Sequence, residues 1–97
     1  MIDTNTYLPQ IKQIIAKNID ISKYRLFLFG SRASGNNAEY SDFDIGVIGN
    51  KPLPSVTKIN IEGELEDSDI PVKVDLLDFY QASEKFKKIA LSHTIDL

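Results

Sequence analysis

Residues Leu28–Val47 read LFGSRASGNNAEYSDFDIGV and join two apolar strands through a polar loop. The first strand runs into a Gly-Ser turn at residues 30–31, and two aspartates, Asp42 and Asp44, stand where the second strand begins. Backbone donors at a glycine turn suit an anion, whereas paired carboxylates suit a cation. This order predicts a site for a metal-bound nucleoside triphosphate.

The carboxylates are the predicted metal ligands. Asp42 and Asp44 are two residues apart in a strand, so both side chains point to one face of the sheet. Two carboxylates about 5 Å apart repel each other by roughly 3 kcal/mol at an effective dielectric constant near 20, which is costly unless a cation lies between them. Because the chain has no cysteine and one histidine, oxygen ligands, and hence Mg²⁺ or Mn²⁺, are expected.

Asp75 is the candidate third carboxylate, because it interrupts an otherwise apolar strand. It would bind a second metal ion or act as a general base. A plain strand-edge charge is an equally good interpretation of this residue.

Gly30 and Ser31 form the predicted phosphate-binding half of the site. Glycine allows a close approach to the backbone, and the N–H and hydroxyl of Ser31 can donate to a phosphate oxygen. Ser41 offers a further hydroxyl donor. Arg32 and Lys73 can neutralise phosphate charge, although a solvated surface position fits each of them equally well.

Two other interpretations of the loop are weaker. Gly30 and Gly35 mimic the start of a P-loop, but asparagines at residues 36–37 stand where its Lys and Ser/Thr belong. A hydrolase built on Ser31 and His93 lacks the Gly-x-Ser-x-Gly elbow. His93 also lies in a C-terminal region that we expect to fray.

Composition limits the remaining possibilities. Ninety-seven residues, 42% of them hydrophobic, predict a single globular domain over residues 1–97. A net charge of −3 without a basic stripe argues against direct nucleic-acid binding. No apolar run approaches the roughly 20 residues of a membrane helix, and no signal peptide is recognised. We therefore expect a cytoplasmic protein without a membrane contact.

The hydrophobic pattern predicts helices that alternate with three strands. In the helix after Pro54, Val56, Ile59 and Leu65 are expected on the inner face and Ile61 off it. In the last helix, Phe86, Ile89 and Ala90 are expected to face inward. In chain order we predict a helix over 4–19 (Thr6 as N-cap, Pro9 in the first turn), a strand over 25–29, a helical turn over 32–34, a strand over 43–48, a helix from Pro54 to about Glu66, a strand over 72–77 and, after Asp78 as its cap, a helix over about 80–92.

The combined motif resembles a known signature. Gly30-Ser31-Arg32-Ala33-x-Gly35 followed by Ser41-Asp42-x-Asp44-Ile45 resembles that of the DNA-polymerase-beta-like nucleotidyltransferase superfamily. The small size and the Arg-Ala after Gly-Ser resemble its minimal nucleotidyltransferase branch, that of MntA-type antitoxins. Val74–Asp78 resembles the segment with the family's third acid.

The resemblance implies an α/β (α+β) fold, in which helices flank a small mixed sheet, and transfer of a nucleoside monophosphate from ATP with release of pyrophosphate. Gly30 and Ser31 would bind the triphosphate, Asp42 and Asp44 would hold the metal, and Asp75 would complete the metal site and act on the acceptor. The branch is paired with a HEPN-domain toxin whose tyrosine hydroxyl becomes AMPylated. A partner or a second copy would complete the acceptor site, as a hetero- or homo-oligomer.

Three functions stay open at this point. The first is a metal-dependent adenylyltransferase that modifies a partner protein, which the three acids favour. The second is an antitoxin that binds nucleotide and neutralises its partner by complex formation. Transfer to a small molecule is the third, and nothing in the sequence could enclose one.

Overall fold

A mixed sheet of four strands in the order β3-β2-β1-β4 forms the centre of the computed structural model, which describes residues 2–97. β1 pairs antiparallel with both β2 and β4, whereas β2 and β3 are parallel. The strands are β1 (Tyr24–Phe29), β2 (Phe43–Gly49), β3 (Val74–Asp78) and β4 (Ile95–Asp96). The helices are α1 (Thr4–Ala16), α2 (Ser31–Ser34), α3 (Ser55–Asp67) and α4 (Glu84–Ala90), with a 3₁₀ turn at Phe79–Gln81. The expected fold class is confirmed.

α1 begins earlier than the sequence predicted. Asp3, not Thr6, is the N-cap, and its carboxylate accepts a hydrogen bond of 3.0 Å from the backbone N–H of Asn5. Pro9 therefore lies inside the helix, in its second turn. Its ring removes the N–H that would bond four residues back, and its exposed position lets water satisfy the freed carbonyl. The helix ends at Ala16, before the predicted Ile19.

The main core lies between one face of the sheet and the helices α1 and α3. Side chains alternate along β1, so Leu26 and Leu28 enter this core while Phe27 enters a layer on the opposite face. Phe27 contacts Phe79 there, with ring centroids 5.1 Å apart. β1 is thus covered on both faces, as its unbroken apolar run predicted. The main core comprises Leu8, Ile11, Ile14, Ile15, Leu26, Leu28, Phe43, Ile45, Val47, Leu53, Ile61, Leu65 and Leu76.

α3 presents a different face to the core than predicted. Ile61 is fully buried and Leu65 is buried beside it, whereas Val56 and Ile59 are 69% and 66% exposed. Ile61 and Leu65 are one turn apart and share a face. Val56 and Ile59 lie on the outer side of that helix, so the prediction was wrong for these two residues and for Ile61, and is confirmed for Leu65.

The C-terminal part departs most from the prediction. Instead of one helix over 80–92, Asp78 caps the 3₁₀ turn by accepting from the N–H of Tyr80 at 3.0 Å, and Ser83 caps α4. Ile89 is 66% exposed, against the expected inward position. β4, which was not predicted, then returns along β1. This pairing places residues 91–94 beside the end of β1.

Within residues 2–97, no helix combines the length and the apolar character needed to cross a membrane.

Candidate functional site

The three predicted acids lie at one end of the sheet. Strand register sets Asp44 directly beside Asp75 on the parallel neighbour β3, and beside Phe29, the last residue of β1, on the other side. Asp42 immediately precedes β2. Paired residues in a sheet share a face, and residues two apart also do. The sheet therefore brings Asp42, Asp44 and Asp75 to the same face at the same end.

The Gly30 turn lies directly against Asp44. Gly30 has φ 77° and ψ −157°, a backbone conformation that is essentially restricted to glycine. A Cβ at this position would collide with Oδ2 of Asp44 and would lie 3.2 Å from its Cγ. Residue 30 must therefore be glycine for two reasons: its dihedral angles disfavour other residues, and a side chain would have no space beside Asp44. The predicted phosphate-binding turn and the predicted metal ligand are in contact.

Ser31 begins α2, and its carbonyl oxygen holds the loop together. That oxygen accepts from the N–H of Asn36 at 3.0 Å and from the hydroxyl of Ser34 at 3.2 Å. Ser41 closes the far side of the loop, since its Oγ accepts from the N–H of Ala38 at 2.9 Å. The Ser41 hydroxyl proton is still available as a donor. Phosphate binding by Ser31 and Ser41 stays a prediction.

Arg32 has a different role from either one that the sequence suggested. The residue is 3% exposed. Its guanidinium donates to the carbonyls of Ser41 and Glu39 at 2.8 and 2.7 Å and to Oγ1 of Thr4 at 2.9 Å, and it lies 4.6 Å from the ring centre of Phe43. Both the phosphate contact and the solvated surface position are corrected. Arg32, which belongs to α2, ties that helix to α1 and to the loop before Asp42, because α1 supplies one acceptor and the loop supplies two to its planar guanidinium.

The electrostatics of the site centre on Asp44. Burial, and next the negative charges of Asp75 and Asp42, raise the pKa of Asp44 above its ordinary value. Lys73 lies beside Asp75, with Nζ 3.1 Å from Oδ1, and this hydrogen bond and charge raise the pKa of Lys73. Lys73 therefore offsets the charge of Asp75 and leaves the Asp42–Asp44 pair less compensated.

The residues fit a divalent cation through this pair. Among residues 2–97, no three carboxylate, imidazole or thiolate side chains are grouped closely enough to hold one metal ion. Mg²⁺, however, is commonly bound by one or two carboxylates together with substrate phosphates. Burial, and next the charges of Asp75 and Asp42, raise the pKa of Asp44, and a bound cation would offset both costs of its ionisation. Asp42 and Asp44 could hold it, and a ligand role for Asp75 stays a prediction.

One open groove borders an acid and a second lies beyond the glycine turn. A groove of about 510 Å³ between α3 and β3 touches Asp75 and Lys73. A second, open cavity of about 380 Å³ touches Gly30 and has α4 as one wall. His93 lines this second cavity, although the sequence suggested only a frayed terminus. The pairing of β4 with β1 brings His93 there, and a two-residue strand leaves no periodic signal in a sequence.

Comparison with known proteins gives concordant findings. Residues 9–97 match the family described as Polymerase beta, Nucleotidyltransferase. The chain is 36% identical over 69 residues to the probable protein adenylyltransferase MntA of Haemophilus influenzae, an alignment that covers 71% of this chain. That alignment spans 60% of the relative's length, so the chain represents less than two thirds of it.

Solved structures share the fold. A chain of a toxin–antitoxin complex with AMP-PNP superimposes with a TM-score of 0.73 at 25% identity, over 91% of this chain and 69% of that chain. A chain of the complex between tri-AMPylated Shewanella oneidensis HEPN toxin and MNT antitoxin gives 0.67 at 25% identity, over 91% and 66% of the two chains.

Proposed function

The chain belongs to the polymerase beta nucleotidyltransferase family, and from this premise we propose that it transfers AMP from ATP to an acceptor hydroxyl with a divalent cation. One observation carries the proposal: the glycine turn contacts Asp44, and Asp44 stands between Asp42 and Asp75 at the open end of the sheet. A triphosphate bound at the Gly30 turn would have its α-phosphate next to the three acids. Transfer of AMP needs the α-phosphate and the acids to be adjacent in this way.

Each residue has a distinct part in the proposed reaction. Asp42 and Asp44 would hold Mg²⁺ or Mn²⁺, which supplies charge neutralisation at the phosphates when bound. Gly30 and Ser31 would orient the triphosphate. The acceptor oxygen forms a bond to the α-phosphorus while its proton passes to Asp75 as general base. The bond from the α-phosphorus to the bridging oxygen breaks, and pyrophosphate leaves with that electron pair.

A HEPN-type toxin is the proposed partner, and a tyrosine hydroxyl of it the proposed acceptor. The comparison supports this, since one similar structure holds an AMPylated HEPN toxin with an MNT antitoxin. The geometry is compatible with a protein acceptor, because the Asp75 side chain is partly exposed and borders a groove that opens to solvent. The proposed biological role is therefore that of an antitoxin.

One contact favours a second candidate function. Lys73 pairs with Asp75, the residue that would receive the proton. If that pair persisted with nucleotide bound, the protein would be a nucleotide-binding antitoxin that neutralises its partner by complex formation alone. The pair is exposed, and exposed ion pairs are typically worth about 0–1 kcal/mol. Such a pair opens easily, so we place the enzyme first.

The deciding experiment follows label from [α-³²P]ATP into a purified HEPN-type toxin, the proposed partner, with Mg²⁺ present. We expect transfer by the wild type and at least a hundredfold less, the loss of roughly 3 kcal/mol of transition-state stabilisation, by Asp42→Asn/Asp44→Asn.

The chain offers a matched control. Asp67→Asn/Asp69→Asn removes the same charge from a second Asp-x-Asp on the exposed surface and should leave transfer unchanged. Equal neutralisation of the toxin by the wild type and the Asp42/Asp44 variant, with no label in either reaction, would establish the binding module instead.

A further inference from the structure

Tyr40 is an exposed tyrosine in the loop between α2 and β2, two residues before Asp42. The residue is 72% exposed. Its hydroxyl forms no hydrogen bond with any of the residues 2–97. A tyrosine hydroxyl becomes a nucleophile when a general base takes its proton, so an accessible and unbonded one is chemically available as an acceptor.

Four hydrogen bonds fix the backbone on both sides of Tyr40. The N–H of Ser41 donates to the carbonyl of Ala38 at 3.2 Å, and the N–H of Ala38 donates to Oγ of Ser41 at 2.9 Å. The guanidinium of Arg32 donates to the carbonyls of Glu39 and Ser41 at 2.7 and 2.8 Å. A side chain on such a fixed turn loses little backbone entropy when it enters the site of another molecule.

The sheet places the other tyrosines of the chain away from the acids. Tyr24 begins β1 and pairs with the last residue of β2, at the opposite end of the sheet from Asp44. Tyr80 follows the carboxyl end of β3, at that same remote end. Tyr7 packs the edge of its ring against Phe43, on the core face of the sheet. Tyr40 is therefore the tyrosine that combines high exposure with a position at the acid end.

The groove at Asp75 is open to an acceptor from another molecule. The groove of about 510 Å³ lies between α3 and β3, and the side chain of Asp75 on its border is 43% exposed. None of the residues 38–41 lines this groove. Arg32 ties the Tyr40 turn to α1 and α2 instead. The acceptor and the general base thus occupy separate parts of one molecule, an arrangement that suits a reaction between two copies.

We propose that Tyr40 is itself an acceptor of AMP, modified in the active site of a second copy of this chain. The inference rests on the proposed function and adds an acceptor that the chain itself supplies. Oη of Tyr40 forms a bond to the α-phosphorus of ATP held by the second copy, and its proton passes to Asp75 of that copy. The bond from the α-phosphorus to the bridging oxygen breaks, and pyrophosphate leaves with that electron pair.

Self-modification is tested without any toxin, with Mg²⁺ and ATP labelled with ³²P at the α-phosphate. The wild type should become labelled, and peptide mass spectrometry should place the AMP group on Tyr40. Tyr40→Phe removes only the hydroxyl of an exposed ring, so it should fold like the wild type and lose the label. Tyr80→Phe is the matched control, since Tyr80 is also exposed, at 45%, and should keep the label.

A mixture of two variants tests transfer between copies. A tagged Asp42→Asn/Asp44→Asn chain keeps Tyr40 but lacks the proposed metal ligands, whereas an untagged Tyr40→Phe chain keeps those ligands but lacks the acceptor. Neither variant should become labelled alone. In the mixture, we expect label on the tagged chain. Label on the wild type without label in the mixture would place the reaction inside one molecule and overturn the inference.

Labelling of a purified HEPN-type toxin separates the inference from the proposed function. Tyr40→Phe should label the toxin within about twofold of the wild type, because the hydroxyl of residue 40 has no part in that reaction. A labelled toxin together with an unlabelled wild-type chain, or with equal label on wild type and Tyr40→Phe, overturns the inference and leaves the proposed function standing. If neither toxin nor chain is labelled, the proposed function fails and the inference with it.

Discussion

At the scale of single residues, Asp44 shows a conflict between function and stability. It stands between two other carboxylates and against the Gly30 turn, and burial adds to the cost of its charge. Stability does not explain why three acids lie side by side, because their repulsion opposes folding. Their arrangement therefore indicates a functional role. Burial and the two neighbouring charges make ionisation of Asp44 unfavourable, and its pKa is raised for that reason.

This conflict makes a prediction about pH. The folded-state pKa of Asp44 lies above its ordinary value of 3.8, so between the two values the native state binds more protons than the unfolded state, and stability falls as pH rises through that window. Without divalent cations, Asp44→Asn should therefore unfold at a higher urea concentration than the wild type at pH 7. The difference should shrink as the pH falls through that window toward 3.8 and change no further below it.

The urea experiment has an internal comparison. Asp69→Asn removes an exposed carboxylate that is not among the three acids of the candidate site and that accepts from Gln10 at 2.8 Å. It should not stabilise the protein. An Asp44→Asn variant that is less stable than the wild type at pH 7 would contradict the assignment of electrostatic strain to this residue.

At the scale of elements, α4 is the most weakly held helix of the described chain. None of its residues is buried. Phe86 connects it to the body, with its ring centre 5.6 Å from Phe79 and 6.4 Å from Phe29. Phe79, by contrast, is 1% exposed and anchors the layer on that face of the sheet. The α4 wall of the cavity that His93 lines therefore depends on one aromatic side chain, Phe86.

Truncation of these two rings should have different effects. Phe79→Ala leaves a buried void and should cost about 3–5 kcal/mol of unfolding free energy in urea titrations. Phe86→Ala, at a 41% exposed position, should cost about 1 kcal/mol and speed amide hydrogen exchange in residues 84–96. Equal global losses for the two variants would show that α4 is an integral part of the core.

The sequence was informative where a pattern is local. The unbroken apolar runs predicted β1 and β2, and the spacing of Asp42 and Asp44 with an upstream glycine turn predicted which residues meet at the sheet end. The sequence was uninformative where the position of a residue is determined by contacts with distant parts of the chain. Arg32 is buried because three acceptors from two separate segments, α1 and the loop before Asp42, converge on it, and no single window of sequence contains them. β4 is too short to have a period.

At the scale of the whole molecule, nucleotide and folding should be coupled. In a 97-residue domain, 1 kcal/mol corresponds to roughly 4–8 °C in melting temperature. ATP with Mg²⁺ at about 100 times its Kd contributes about 2.7 kcal/mol, so we expect the melting temperature to rise by about 10–20 °C. The rise should disappear in EDTA and in Asp42→Asn/Asp44→Asn. A full shift in EDTA would mean that nucleotide binds without the metal.

The Arg32 contacts also bear on how this sequence can vary among relatives. Two of the three acceptors are main-chain carbonyls, of Glu39 and Ser41, so side chains at those positions can change without loss of the contact. The third is the hydroxyl of Thr4, which is lost when residue 4 has no side-chain acceptor. Positions 4 and 32 should therefore covary, although 28 residues separate them. The sequence of α1 is therefore constrained by its contact with the loop that positions the acids, although α1 is remote from those acids along the chain.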